Sequence, residues 1–242
     1  MTAYTSSERY QQCQAIFDRA YPDFRDAGQR YADRIQAALD GQTRLLDIGC
    51  GRGSLAHDAI RQAGRSVGID LMHDDLRHNT TVDAAAVADA GALPFPKASF
   101  DLLVSQWVVE HFAHPAEAFR ELGRVLKPGG RLILLTTNAN NYIPLFSRMV
   151  PDRVQRLVIE KLLRRPAHES FPTYFRANTR RAITRLAGDA GFTVESIEYV
   201  ANPFYLAFNV PLFRLAMLYE QITDRPALRH LKLYLLATLR KQ

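Results

Sequence analysis

The chain has 242 residues, 47% of them hydrophobic, and a formal net charge of +6. That length fits one α/β domain with an ample core. No apolar run reaches the roughly 18 residues of a membrane span, Met1 to Tyr10 lacks the apolar core of a signal peptide, and two cysteines, Cys13 and Cys50, suggest neither a disulfide framework nor a metal cluster, so a reducing, cytoplasmic setting is expected.

In chain order, residues 8–39 read as one or two helices broken at Pro22 and Gly28, with Tyr31 and Ile35 in their apolar set. Leu45, Leu46 and Ile48 then make the short apolar run of a strand covered on both faces. Gly49, Gly51 and Gly53 follow, able to take positive φ and to let a ligand approach the backbone. Ser54 to Ala63 reads as the next helix, whose free N–H groups would favour a negatively charged ligand group. A dinucleotide-binding turn requires G-x-G-x-x-G. Here the spacing is G-x-G-x-G, with Ser54 where the third glycine would stand and Asp47 two residues before the first. A carboxylate there suits an ammonium group and would repel a pyrophosphate.

Residues 66–71 (S-V-G-I-D-L) read as strand two, ending in Asp70 and Leu71. An acid about 20 residues after the glycines can accept from both ribose hydroxyls, in a nicotinamide cofactor as readily as in any other nucleoside. Phe100 to Ser105 reads as strand four, Pro115 to Leu126 as a helix with proline well placed at its start, and Lys127-Pro128-Gly129-Gly130 as the turn into strand five. Asn178-Thr179 resembles a helix N-cap and Gly191 a helix stop. Phe192 to Val200 reads as strand six, Val210 to Ile222 as a helix, and Leu231 to Arg240 as the last strand.

The motif D-I-G-C-G-R-G at 47–53, the acid Asp70, A-D-A-G at 88–91 and L-K-P-G-G-x-L at 126–132 occur in the order found in class I S-adenosylmethionine-dependent methyltransferases. The chain resembles the type 11 group that includes ubiquinone and menaquinone methyltransferases, closely over residues 40–140 and loosely elsewhere. The resemblance implies a Rossmann-like, seven-stranded, mostly parallel sheet with helices on both faces and the last strand antiparallel beside strand six. It implies S-adenosyl-L-methionine as cofactor, held by Asp47, Gly49, Cys50, Gly51 and Gly53, by Asp70 and Leu71 at the ribose, by Asp89 and Ala90 at the adenine, and by Ser105 and Gln106 at the methionine moiety. Cys50 reads as a small residue that fits the turn, not as a nucleophile.

One methyltransferase domain over 1–242 is expected, with a helical cap at 1–40, a cofactor core at 41–137, a lid at 138–177 and the rest of the sheet at 178–242. The segment after strand five is too long for an ordinary link. Its Asp152–Arg165 stretch has an amphipathic pattern, and an aromatic turn follows at 171–176. It reads as a lid over the acceptor, or as packing decoration. Strand four leads into E-H-x-x-H-P at 110–115, which resembles the family's E-H-x-x-x-P. A histidine there can act as a base near neutral pH, so His111 is the candidate catalytic residue; a role in capping or orienting the helix is the alternative. Trp107, His114, Tyr174 and Arg176 are the candidate acceptor contacts. Some ubiquinone-type O-methyltransferases bind a metal through an acid three residues before the Glu-His pair. Trp107 stands in that position, and no metal is expected.

Charge divides the chain. Residues 1–138 hold 15 Lys and Arg against 17 Asp and Glu, whereas residues 139–242 hold 16 against 8. The basic half points to an anionic small molecule, a membrane surface or solvated faces. The stronger signals of a nucleic-acid binder are absent, with no Lys-rich tract or zinc spacing. Methylation at oxygen of a small-molecule, glycan or lipid-like acceptor is the expected activity. The alternatives are N- or C-methylation of a natural product, a catalytically silent cofactor-binding protein, and a nicotinamide oxidoreductase. Peripheral membrane contact is a further reading of the apolar 204–213 stretch.

Overall fold

The computed structural model describes residues 8–149 and 172–242. Helices α1 (Glu8–Ala20) and α2 (Ala27–Gln36) lead into strand β1 (Arg44–Ile48), helix α3 (His57–Ile60), strand β2 (Arg65–Asp70), helix α4 (His73–Leu76) and strands β3 (Ala84–Val87) and β4 (Phe100–Gln106). Helix α5 (Pro115–Val125), strand β5 (Leu126–Thr137), helices α6 (Tyr142–Met149) and α7 (Arg180–Asp189), strand β6 (Phe192–Val200), helix α8 (Val210–Thr223) and strand β7 (Tyr234–Lys241) follow. The sheet order is β3-β2-β1-β4-β5-β7-β6. Strands β1 to β5 pair in parallel, and β7 inserts antiparallel between β5 and β6. This is the expected Rossmann-like architecture.

Strands buried on both faces supply the core. One cluster joins Leu46, Ile48, Leu103 and Leu134 to α5 and α7 through Phe119, Leu122, Ile183 and Leu186. On the opposite face Leu45, Val104 and Ile133 meet Tyr31 and Ile35 of α2. A third cluster closes α1 on α8 through Cys13, Phe17, Phe213 and Met217. Each fully buried Leu, Ile or Phe contributes roughly 1.5–3 kcal/mol. Helix α2 is also fixed electrostatically: Arg30 and Arg34 both bind the Glu198 carboxylate on β6.

Three boundaries differ from the sequence reading. Gly28 does not break the helix; it is the second residue of α2, which begins after a capping box between Asp26 and Gln29. A Cβ at Gly28 would lie 2.8 Å from Leu55 Cδ1, so glycine permits close packing of α2 on the glycine turn. The helix expected over 54–63 is only the four residues of α3. The last strand begins at Tyr234, because Pro226–Leu231 forms a 3-10 turn. No helix among the described residues is long and apolar enough to cross a membrane.

Candidate functional site

The carboxyl ends of β1, β2 and β4 meet at the glycine turn. Gly49 has φ 70°, and a Cβ there would collide with Val108, so the turn packs flush against the segment after β4. Many of the turn's donors are already taken. Gly49 N and Cys50 N both donate to Ile69 O (2.7 and 3.0 Å), Gly51 N to Asp70 Oδ2 (2.9 Å) and Gly53 N to Cys50 O (2.9 Å). Leu55 N donates to Gln106 Oε1 and Ala56 N to Ser54 Oγ. Side chains and backbone carbonyls thus already take many of the N–H groups on which an anion would depend. The acids gathered here are Asp47 and Asp70. A dinucleotide pyrophosphate would find acids where it needs N–H groups, whereas a cationic ligand finds its complement.

Asp47, at the end of β1, is 2% exposed, and its Oδ2 has no hydrogen-bond partner among the described residues. Burial first, and the Asp70 charge second, push its carboxyl up to about 8. The buried Tyr31 hydroxyl on α2 likewise has no hydrogen-bond partner among the described residues. Its phenol is raised well above the usual range by burial and then by the Asp47 charge, with the Ser105 backbone opposing. Trp107, just past β4, holds a strained φ of 55° and a buried indole N–H with no hydrogen-bond partner among the described residues. Such strain costs on the order of 1–3 kcal/mol, and each unmet buried polar group roughly 1–3 kcal/mol. An ammonium donor would satisfy Asp47 Oδ2, whereas the indole N–H, a donor only, calls for an acceptor such as a ligand carboxylate.

The neighbouring face suits a nucleoside. Asp70 Oδ1 accepts from Met72 N and Oδ2 from Gly51 N, both at 2.9 Å. Two backbone donors thus fix the carboxylate, and each oxygen keeps a second lone pair for a diol. Leu71, Met72 and Val87 are large apolar residues left 53, 44 and 54% exposed at the ends of β2 and β3, a wall for a flat base. Asp89 is exposed and its Oδ1 accepts from Gly91 N at 2.6 Å, closing the turn that carries half-buried Ala90.

Two predicted contacts sit differently. Ser105 is 1% exposed and donates to Ile48 O, so its hydroxyl ties β4 to β1 instead of facing a ligand. Gln106 reaches Leu55 N and Ser54 Oγ, acting on the glycine turn. Cys50 packs inward against Gly68, and burial pushes its thiol up to about 12, which fits a packing role.

Past Trp107, a 3-10 turn (Val109–His111) presents the histidine. The returning segment 172–178 grips this turn. Tyr174 N and Phe175 N donate to Glu110 O (2.8 and 3.2 Å), His111 Nδ1 contacts Pro172 O (2.9 Å), and Arg176 donates to Ala113 O (2.5 Å) while covering the Tyr174 ring. The buried Glu110 carboxylate accepts from Thr136 Oγ1 (2.6 Å) and Thr137 Oγ1 (3.1 Å), and Asn178 Nδ2 donates to Thr136 Oγ1 (2.7 Å). Thus His111, Tyr174 and Arg176 come together, whereas exposed His114 sits at the start of α5 without a side-chain capping bond. The amphipathic stretch Asp152–Arg165 lies outside the described residues. Sequence reasoning missed Tyr31, placed there only in an apolar set, and missed Glu110 and Asn178 as organisers of the turn. A tyrosine on a buried helix face was the available signal, since its hydroxyl needs a partner.

A family model described as a methyltransferase domain matches residues 46–134. A relative from Pseudomonas paraeruginosa, named a ubiquinone biosynthesis O-methyltransferase, is 32% identical over 172 residues, covering 67% of this chain and 69% of the relative. The chain spans only 58, 27 and 56% of the lengths of three other curated relatives. Among solved structures, geranyl diphosphate C-methyltransferase from Streptomyces coelicolor is similar with a TM-score of 0.58 and 18% identity, over 98% of this chain and 87% of that one. An S-adenosylmethionine-dependent methyltransferase from Mesorhizobium loti is similar with a TM-score of 0.57 and 21% identity, over 86% of this chain and 96% of that one. At these identities the structural likeness is one of fold.

Proposed function

The chain belongs to the S-adenosylmethionine-dependent methyltransferases, and from that premise we propose that it methylates an oxygen of a small-molecule, glycan or lipid-like acceptor by direct in-line transfer. S-adenosylmethionine, when bound, supplies an already activated sulfonium methyl group. Asp47 holds the ammonium end, Gly49, Cys50, Gly51 and Gly53 shape the backbone beside it, and Gln106 braces that backbone. Asp70 takes the ribose diol, Leu71 lines the base, and Asp89 with Ala90 reads its edge. Trp107, Tyr174 and Arg176 border the acceptor. The whole chain reads as one domain, with 1–40 as cap and 138–177 as lid.

The observation that carries the oxygen reading is the His111 contact with Pro172 O. A carbonyl only accepts, so Nδ1 carries the proton, and in the neutral ring the basic lone pair lies on Nε2. A base so oriented can take the proton of an acceptor hydroxyl. The name of the Pseudomonas relative supports the same acceptor atom. An apolar acceptor body is favoured by Leu145 and Phe146 on α6, 47 and 69% exposed just beyond β5. A cytoplasmic protein with peripheral membrane contact suits such an acceptor.

Two substitutions test the cofactor assignments. Asp70→Ala removes two charge-assisted hydrogen bonds, each worth about 1.5–3 kcal/mol. Calorimetry is expected to show S-adenosylhomocysteine binding weakened at least tenfold, with NADH not binding the unsubstituted protein; tight NADH binding would sink the reading. Asp89→Asn keeps an oxygen for Gly91 N but introduces an amide donor toward the adenine amino group. Ligand binding should weaken while the melting temperature without ligand stays unchanged. Loss of ligand-free stability would instead make Asp89 structural.

A further inference from the structure

Beside edge strand β6, a cleft of about 630 Å³ opens, lined by Asn140, Arg180, Arg181, Thr184, Arg185 and Tyr199. It lies at the carboxyl edge of the sheet, because Asn140 follows β5 and Tyr199 nears the end of β6, which runs parallel to β5 through β7. It also adjoins the acceptor region through the chain itself. Asn178, bonded to the threonine that holds Glu110, is followed by the Thr179 N-cap and then Arg180.

The arginines are placed against helix stability. Arg180 and Arg181 occupy the first turn of α7, where the helix dipole is positive and no acid is present. Arg181 and Arg185 form a like-charged i,i+4 pair, an arrangement that costs a few tenths of a kcal/mol in isolated helices. Among the described residues none of the three is ion-paired with a carboxylate. Among the described residues Arg180 donates only to the Ile197 carbonyl, at 3.4 Å, and its charge bears on the half-buried Tyr199 phenol. Three guanidiniums, a threonine, an asparagine amide and a phenol around one cleft supply the planar forks and donors that bind a phosphoryl group.

We propose that this cleft binds the phosphate or diphosphate group of a soluble, phosphorylated acceptor and so orients its apolar part past α6 toward His111. The proposal rests on the methyltransferase reading for the identity of the bound molecule as acceptor. Binding of the anion itself is independent of it.

Inorganic pyrophosphate is the probe, titrated calorimetrically at low salt into the full chain and into the double variant Arg181→Gln, Arg185→Gln, neither position being assigned to the cofactor or the base. Pyrophosphate should bind the unsubstituted protein and bind the variant at least tenfold more weakly, with S-adenosylhomocysteine affinity unchanged. The variant's ligand-free melting temperature should equal or exceed that of the parent, since a charge conflict is removed. Equal pyrophosphate binding by both proteins, or none by either, overturns the proposal. So does cosedimentation with phosphatidylglycerol vesicles that the double substitution abolishes while pyrophosphate fails to bind, which would make the cleft a membrane contact. A protein that binds pyrophosphate but not S-adenosylhomocysteine retains the anion site and loses the methyltransferase reading.

Discussion

Asp47→Asn is expected to make the ligand-free protein more stable at pH 8 and to weaken S-adenosylmethionine binding a hundredfold or more. The carboxyl is raised to about 8 in the folded chain against an ordinary 3.8. Between those values the folded state holds a proton that the unfolded chain has released. Its contribution to stability is therefore complete below about pH 4 and is lost progressively as pH rises to about 8. The amide keeps the shape and cannot ionise, so the melting temperature of the variant should lose this slope. Below about pH 4 the two proteins should melt alike, and the variant should melt increasingly higher as pH rises to 8. The same amide cannot neutralise an ammonium group, and a hundredfold loss corresponds to about 2.8 kcal/mol. Binding to the unsubstituted protein should also release a proton near neutral pH, read as an enthalpy that changes with the buffer's ionisation heat. A variant that melts lower at pH 8, or that binds normally, would make Asp47 a structural acid.

The sign of charge at the glycine turn separates a methyl-donor site from a dinucleotide site better than glycine spacing alone does. Spacing says where the backbone can turn; it does not say whether the turn's N–H groups remain available. Here Ile69 O, Asp70 and Gln106 take several of them, and an acid whose Oδ2 has no hydrogen-bond partner among the described residues is left at the strand end. That arrangement follows from Asp47 and Asp70, both visible in the sequence. The satisfaction of the donors was not visible, because Gln106 lies 51 residues from Leu55.

The sheet was legible for a simple reason. Leu45–Ile48 and Leu102–Val104 are apolar runs bounded by turn residues, which is how parallel strands covered on both faces read. Thr179 and Gly191 marked the ends of α7 because capping is local chemistry. Ser54 to Ala63 misled because its apolar residues recur at helical spacing, while Ser54 and Gln106 hold Leu55 and Ala56 in a turn. The contact of His111 with Pro172 spans 61 residues and carries no periodicity. The influence of the Asp47 charge on the Tyr31 phenol likewise arises only when α2 packs on β1. Local signals thus exposed the scaffold and its motifs, and long-range packing determined how the side chains are poised.

His111→Ala is expected to lower turnover about 10²-fold or more with cofactor affinity nearly unchanged, because a base acts on the acceptor proton in the transition state. Alanine also removes the contact with Pro172 O, so a loss could arise from a displaced returning segment. His111→Asn separates the two. Its amide can still donate to that carbonyl, as a short side chain with an N–H donor, but it offers no base at neutral pH. If His111 is the base, both variants lose turnover alike and both lose the acid limb of the pH–rate profile. If it only positions the segment, the asparagine variant recovers most of the rate and keeps that limb. His114→Ala is the matched control, three residues on, exposed and without a side-chain capping bond. It should leave turnover within a few-fold of the parent. Full activity in both His111 variants would move the acceptor from oxygen to nitrogen or carbon, where no hydroxyl proton has to leave and alignment alone, worth roughly 7–11 kcal/mol, carries the rate.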